Sequence, residues 1–122
     1  MGKILVVDDD SEIRNVFKRA FENAGHEVII AENGRVCEIL NHKHNPDIII
    51  LDIIMPDQEG IETIINLKAS NNNIKIIAVS GGGMGGANNY LDNALKFGAK
   101  AIFEKPINPD EIIDKINLLL HN

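Results

Sequence analysis

The sequence predicts a doubly wound α/β fold, a parallel sheet with helices on both faces. Three observations predict it. Short β-like runs alternate with helical periodicity from one end of the 122 residues to the other. Several runs are apolar at consecutive positions, as strands covered on both faces must be. Alternation of this kind favours parallel pairing, because the crossovers between such strands are nearly always right-handed.

The first strand is expected at Ile4–Val7, before a helix striped by Ile13, Val16, Phe17, Ala20 and Ala24 and stopped by Gly25. A second strand, Glu27–Ala31, leads through Asn33-Gly34 into a helix marked by Val36, Ile39 and Leu40. Asp47–Leu51 is the third strand, and Ile61, Ile64 and Ile65 mark the helix after it. The Asn71-Asn72-Asn73 loop precedes a fourth strand, Ile74–Val79; its helix carries Tyr90, Leu91, Ala94 and Leu95 and ends at Gly98. Lys100–Phe103 is the fifth strand. Asn108-Pro109 opens the last helix, with Ile112, Ile113, Ile116, Leu119 and Leu120 on its apolar face and Pro109 suited to the first helical position.

Length and composition agree with one globular domain spanning residues 1–122: 44% of residues are hydrophobic and 25% charged. Twelve basic against eighteen acidic residues give a net charge of -6, which repels phosphate backbones and argues against direct nucleic-acid binding. Apolar runs are too short to span a membrane, and Met1-Gly2-Lys3 leads into a strand rather than a signal peptide. The lone Cys37, read as a small core or boundary residue, is compatible with a reducing cytoplasm.

In doubly wound sheets ligands gather at the carboxyl ends of the strands. Here the first strand ends in Asp8-Asp9-Asp10, the third in Asp52, the fourth in Ser80 and the fifth in Lys105-Pro106. Each has a plainer reading. Asp9 or Asp10 could cap the first helix with Glu12 as a capping-box partner, Ser80 could be a loop hydroxyl, and Lys105 a solvated strand end. Their coincidence at one rim points instead to phosphoryl transfer with magnesium. Crowded carboxylates repel unless a cation is present, and magnesium takes carboxylate and phosphate oxygens. So screened, Asp52 can approach an anionic phosphoryl group as a nucleophile, with an ammonium and a hydroxyl to receive its oxygens.

These residues resemble the receiver domain of two-component response regulators. The resemblance rests on VVDD, on LDIIMPDQEG with its D-x-x-M-P-x-x-x-G spacing, on the strand-end Ser80 and on FEKP, and it covers essentially the whole chain. It implies a flavodoxin-like single domain with strand order 2-1-3-4-5. It implies that Asp52 is the phosphoacceptor, loaded by a histidine kinase or a histidine phosphotransfer protein. Asp9, Asp52 and the backbone carbonyl of Ile54 would ligate Mg2+ directly, Asp8 largely through water. Ser80 would be the switch hydroxyl and Lys105 the ionic partner, with a cis Lys105-Pro106 peptide. Such a domain, cytoplasmic, is a self-phosphorylating and self-dephosphorylating switch rather than an enzyme on external substrates. It is either a stand-alone receiver or part of a larger regulator. Its last two helices and fifth strand would serve a second copy or an output partner.

Two stretches depart from the family pattern. Ile102 stands where a rotating Tyr or Phe is usual; Phe103 is adjacent but on the other face of its strand. Ser80-Gly81-Gly82-Gly83-Met84-Gly85-Gly86 is expected to be a mobile loop with a late start to the fourth helix, and Ile54 and Gly82 to tune the lifetime of the phosphoryl group. That loop also spells G-x-G-x-x-G, a dinucleotide fingerprint with too little sheet beyond it. Asp8 and Asp10 imitate the D-x-D of a phosphatase but leave Asp52 and Lys105 unexplained. A pseudo-receiver that never takes phosphate conflicts with the complete set of acids, serine and lysine. His42 and His44 are too few for a metal site and read as a helix terminus.

Overall fold

A computed structural model describes residues 2–53, 60–71, 73–81 and 87–121, the backbone alone for residues 87–91. Five strands and five helices alternate: β1 (Lys3–Val7), α1 (Ser11–Asn23), β2 (Glu27–Ala31), α2 (Gly34–His44), β3 (Ile48–Asp52), α3 (Gly60–Ser70), β4 (Lys75–Gly81), α4 (Ala87–Phe97), β5 (Ala101–Lys105) and α5 (Pro109–Leu120). The strands form one parallel sheet in the order β2-β1-β3-β4-β5. This is the flavodoxin-like arrangement that the sequence predicts.

Successive residues of a strand face opposite sides, and both sides are buried here. Ile4, Val6, Ile48, Ile50, Ile77 and Val79 pack against Phe17 and Phe21 of α1 and Ile112 and Ile116 of α5. Leu5, Val7, Ile49, Leu51, Ile76 and Ala78 pack against Cys37 of α2, Ile64 and Leu67 of α3 and Ala94 of α4. Each wholly buried Ile or Leu contributes about 2 kcal/mol by leaving water. Ile102 joins the second layer and Phe103 the first, so the aromatic ring cannot take its neighbour's place.

Helix ends follow local chemistry. Asp10 caps α1 by accepting from the Glu12 N–H at 2.9 Å, Asn33 caps α2 through the Val36 N–H at 2.9 Å, and Asn108 caps α5 through the Asp110 N–H at 3.0 Å. Gly25 after α1 and Gly98 after α4 take positive φ, 96° and 124°, which L side chains resist. His42 and His44 sit in the last turn of α2.

Two features differ from the periodic reading. Val16 and Ile39, assigned to apolar stripes, are 55% and 60% exposed, while Phe21 and Cys37 are buried. The stripe of α1 rotates towards Phe17 and Phe21, whose rings stack 5.5 Å apart. Burial pushes the Cys37 thiol up to about 12, so it behaves as a core residue. The last three strands also run one or two residues further than expected. Ladder pairs Asp52↔Val79, Ser80↔Glu104 and Gly81↔Lys105 draw the polar ends into the sheet. Asp52, Ser80 and Lys105 are therefore held on strands, whereas Asp8 and Asp9 follow the end of β1.

Candidate functional site

Asp8 follows the last residue of β1, Asp52 ends β3 and Lys105 ends β5, so one parallel sheet, with β4 between β3 and β5, brings them to one rim. The Lys105 Nζ donates to Asp8 Oδ2 at 2.8 Å and to Asp52 Oδ2 at 3.3 Å, across 97 and 53 residues of sequence. Asp8 and Asp52 are almost fully buried, with 2% and 4% exposure, whereas Asp9 is exposed. Burial works against the charge of Lys105. The Asp8 hydrogen bond and the charge of Asp52 outweigh it and hold the ammonium above the ordinary lysine value.

Asp8 is fixed at each polar atom. Its N–H donates to the Ala31 carbonyl at 3.2 Å, and its own carbonyl accepts from Arg14 Nη1 at 2.7 Å. Its Oδ1 accepts from the Asp10 N–H at 2.9 Å and its Oδ2 from Lys105. Asp10, by contrast, spends its side chain on capping α1, which leaves the D-x-D phosphatase reading without its second acid.

Asp8, Asp9 and Asp52 each offer a carboxylate oxygen, and the three oxygens lie within 4.8 Å of one another. Three carboxylates against one ammonium leave two formal negative charges, the complement of a divalent cation. All donors are oxygen, which suits a hard ion. The residues fit the ion. Ile54, expected to lend a carbonyl, lies outside the described residues, as do Gly82 and the rest of the glycine loop to Gly86.

Ser80 is fully buried on β4, one residue beyond the partner of Asp52. Its hydroxyl donates to the Gly81 carbonyl at 3.4 Å. The Lys105-Pro106 peptide is cis.

Gly60 enters the sequence reading only as the last position of D-x-x-M-P-x-x-x-G, and Arg14 does not enter it. A Cβ on Gly60 would collide with the Ile53 backbone and lie 2.8 Å from its carbonyl carbon. The Gly60 N–H meanwhile donates to the Ile53 carbonyl at 3.0 Å. The start of α3 is thus pressed against the residue after Asp52. The glycine in D-x-x-M-P-x-x-x-G was a signal for this, but spacing alone does not reveal what it touches. Beside Lys105, an open groove of 530 Å³ is lined by Glu12, Ile13, Val16, Phe17, Gly81, Lys105, Pro106 and Ile107.

Residues 4–117 match the family described as "Response regulator receiver domain". Chemotaxis protein CheY of Thermotoga maritima is 35% identical over 119 residues, covering 96% of this chain and 97% of that protein. Sporulation initiation phosphotransferase F of Bacillus subtilis is 31% identical over 118 residues, covering 97% and 93%. Among solved structures, a CheY-like receiver domain from Methanospirillum hungatei superposes with a TM-score of 0.90 at 30% identity, covering 99% of this chain and 94% of that one.

Proposed function

This chain belongs to the response regulator receiver domain family, and we propose that it is a phosphoryl-accepting switch in which Asp52 takes the group from a phosphohistidine. The observation that carries this reading is the Lys105 ammonium bridging Asp8 and Asp52 beside an exposed Asp9. In that arrangement an Asp52 oxygen bonds to phosphorus as the bond from phosphorus to the donor's imidazole nitrogen breaks. The electron pair of that bond leaves with the imidazole. Lys105 stays protonated and turns its charge to a phosphoryl oxygen. Ser80, released from Gly81, donates to another. Asp9 and Asp52 would hold Mg2+ directly, with the Ile54 carbonyl, and Asp8, whose oxygens accept from Lys105 and the Asp10 N–H, would act through water. When bound, the ion screens the acids and neutralises charge on the phosphoryl oxygens.

The donor is a histidine kinase or a histidine phosphotransfer protein. Its helices approach over the apolar groove formed by Ile13, Val16, Phe17, Pro106 and Ile107, next to the acceptor. Loss of the group from Asp52 is self-catalysed, so the domain signals rather than processes external substrates. Its phosphorylated state adds about -1.5 to -2 of charge at the rim and biases the surface of α4, β5 and α5 towards a second copy or an output partner. Leu95, Phe97 and Leu118 are exposed there. With Ile102 in place of an aromatic, the switch travels through the loop backbone. The setting is the cytoplasm.

Phosphotransfer profiling against labelled histidine kinases tests the reading, with Asp52→Asn as control. Magnesium-dependent label on the parent alone is expected. Equal label on Asp52→Asn, or no label together with no magnesium-dependent binding of beryllium fluoride, sinks it.

A further inference from the structure

Resting on the reading of the rim as a cation and phosphoryl site, we propose that Arg14 is a positioning residue that aims the Asp8 and Asp9 carboxylates by clamping the peptide between them. The sheet leaves that peptide unfinished. β1 pairs with β2 and β3 only as far as Val7, and the last bond on that side runs from the Asp8 N–H to Ala31. The Asp8 carbonyl lies past the ladder. Arg14, on the first turns of α1, reaches back and donates to it from Nη1 at 2.7 Å. A charged donor makes a shorter and stronger bond than a neutral one.

The Asp8 carbonyl belongs to the rigid peptide plane that joins Asp8 to Asp9. Fixing its oxygen, with the Asp8 N–H already bonded to Ala31, sets the backbone of Asp8 and the plane from which Asp9 departs. The Asp10 N–H, one peptide further, then bonds Asp8 Oδ1 at 2.9 Å and closes the turn. Arg14 shares a shallow hollow with Ile30, Ala31, Glu32 and Val36, away from the groove beside Lys105. It thus acts on the acids through the backbone.

The sign of the effect separates this role from simple electrostatics. A cation near the rim repels magnesium, so loss of its charge alone would tighten metal binding. Loss of the clamp loosens it. Magnesium titrations by calorimetry of the parent, Arg14→Ala and Arg14→Lys are the test, with thermal unfolding of the metal-free proteins to establish folding. Arg14→Ala is expected to bind magnesium 10- to 100-fold more weakly, in the range for groups that orient metal ligands. Arg14→Lys, which keeps a donor at shorter reach, is expected to fall between. In metal-free protein the Asp10 amide is expected to exchange several-fold faster in Arg14→Ala, and the Lys3 amide, bonded to Asp47, at the parent rate. If both variants bind magnesium within twofold of the parent, or more tightly, the proposal is overturned while the reading of the site survives. A parent that binds no magnesium overturns both.

Discussion

Among the described residues, the two ends of the sheet use their polar groups differently. At the amino end they close the chain on itself. Asp47 Oδ2 accepts from the Lys3 N–H at 2.8 Å, Lys3 Nζ donates to the His44 carbonyl at 3.2 Å, and Lys75 Nζ donates to the Leu119 carbonyl at 2.6 Å. His26 Nδ1 accepts from the Gly2 N–H at 3.0 Å. Each of these contacts joins a side chain to backbone. At the carboxyl end three acids face one another, and Lys105 pairs with two of them, Asp8 and Asp52. Like charges are gathered there, and the excess of negative charge is what a divalent cation would balance. The comparison teaches that polar groups paired with backbone close the chain, whereas carboxylates gathered against one another leave charge unbalanced.

The strongest test of this contrast is Asp52→Asn. Phosphoryl incorporation is expected to fall by on the order of 1,000-fold or more with the fold intact, because the amide is not a competent nucleophile. Labelled transfer from a kinase measures it, and persistent label would move the reactive end elsewhere. Gly60→Ala comes next. Its methyl collides with the Ile53 backbone, and overpacking of this kind costs about 2–3 kcal/mol, read by chemical denaturation. An unchanged midpoint would show that the approach of α3 to the rim can relax.

Lys105→Met and Asp47→Ala compare the ends directly. The first leaves two buried carboxylates without their cation and is expected to lose about 2 kcal/mol, largely restored by magnesium. The second loses about 1 kcal/mol of a backbone contact, and magnesium makes no difference. Equal responses to magnesium would erase the distinction.

The smallest effect belongs to His26. Burial lowers its pKa below the ordinary 6.5, and the neighbouring main-chain amino terminus acts in the same direction. Asn117 favours the charged form but closes no bond to Nε2, which has no hydrogen-bond partner among the described residues. As pH falls, the unfolded chain therefore takes the proton first, and stability declines from about pH 6.5 downward. Melting temperature followed from pH 7.5 to pH 5.5 should fall more steeply for the parent than for His26→Gln. Matching slopes would place the acid sensitivity elsewhere.

Much of this molecule is legible in its residues because the information is local. Consecutive apolar positions in Ile48–Leu51 report a strand covered on both faces, and caps at Asp10, Asn33 and Asn108 report helix starts. Motif spacing places an acid, a hydroxyl and a lysine at the ends of particular strands. Periodicity does not say which way a helix is rolled, so Val16 and Ile39 come out exposed and Phe21 buried. Strand ends depend on a neighbour's ladder, which carries Asp52, Ser80 and Lys105 into the sheet. The contact of Lys105 with Asp8 spans 97 residues and exists only once β1, β3, β4 and β5 have paired in order. The seat of Gly60 on Ile53 and the reach of Arg14 to the Asp8 carbonyl are likewise tertiary. Sequence by itself determined the elements and the chemistry each strand end carries. Tertiary structure decided which of those groups meet, since distances between remote residues are set by packing and not by spacing along the chain.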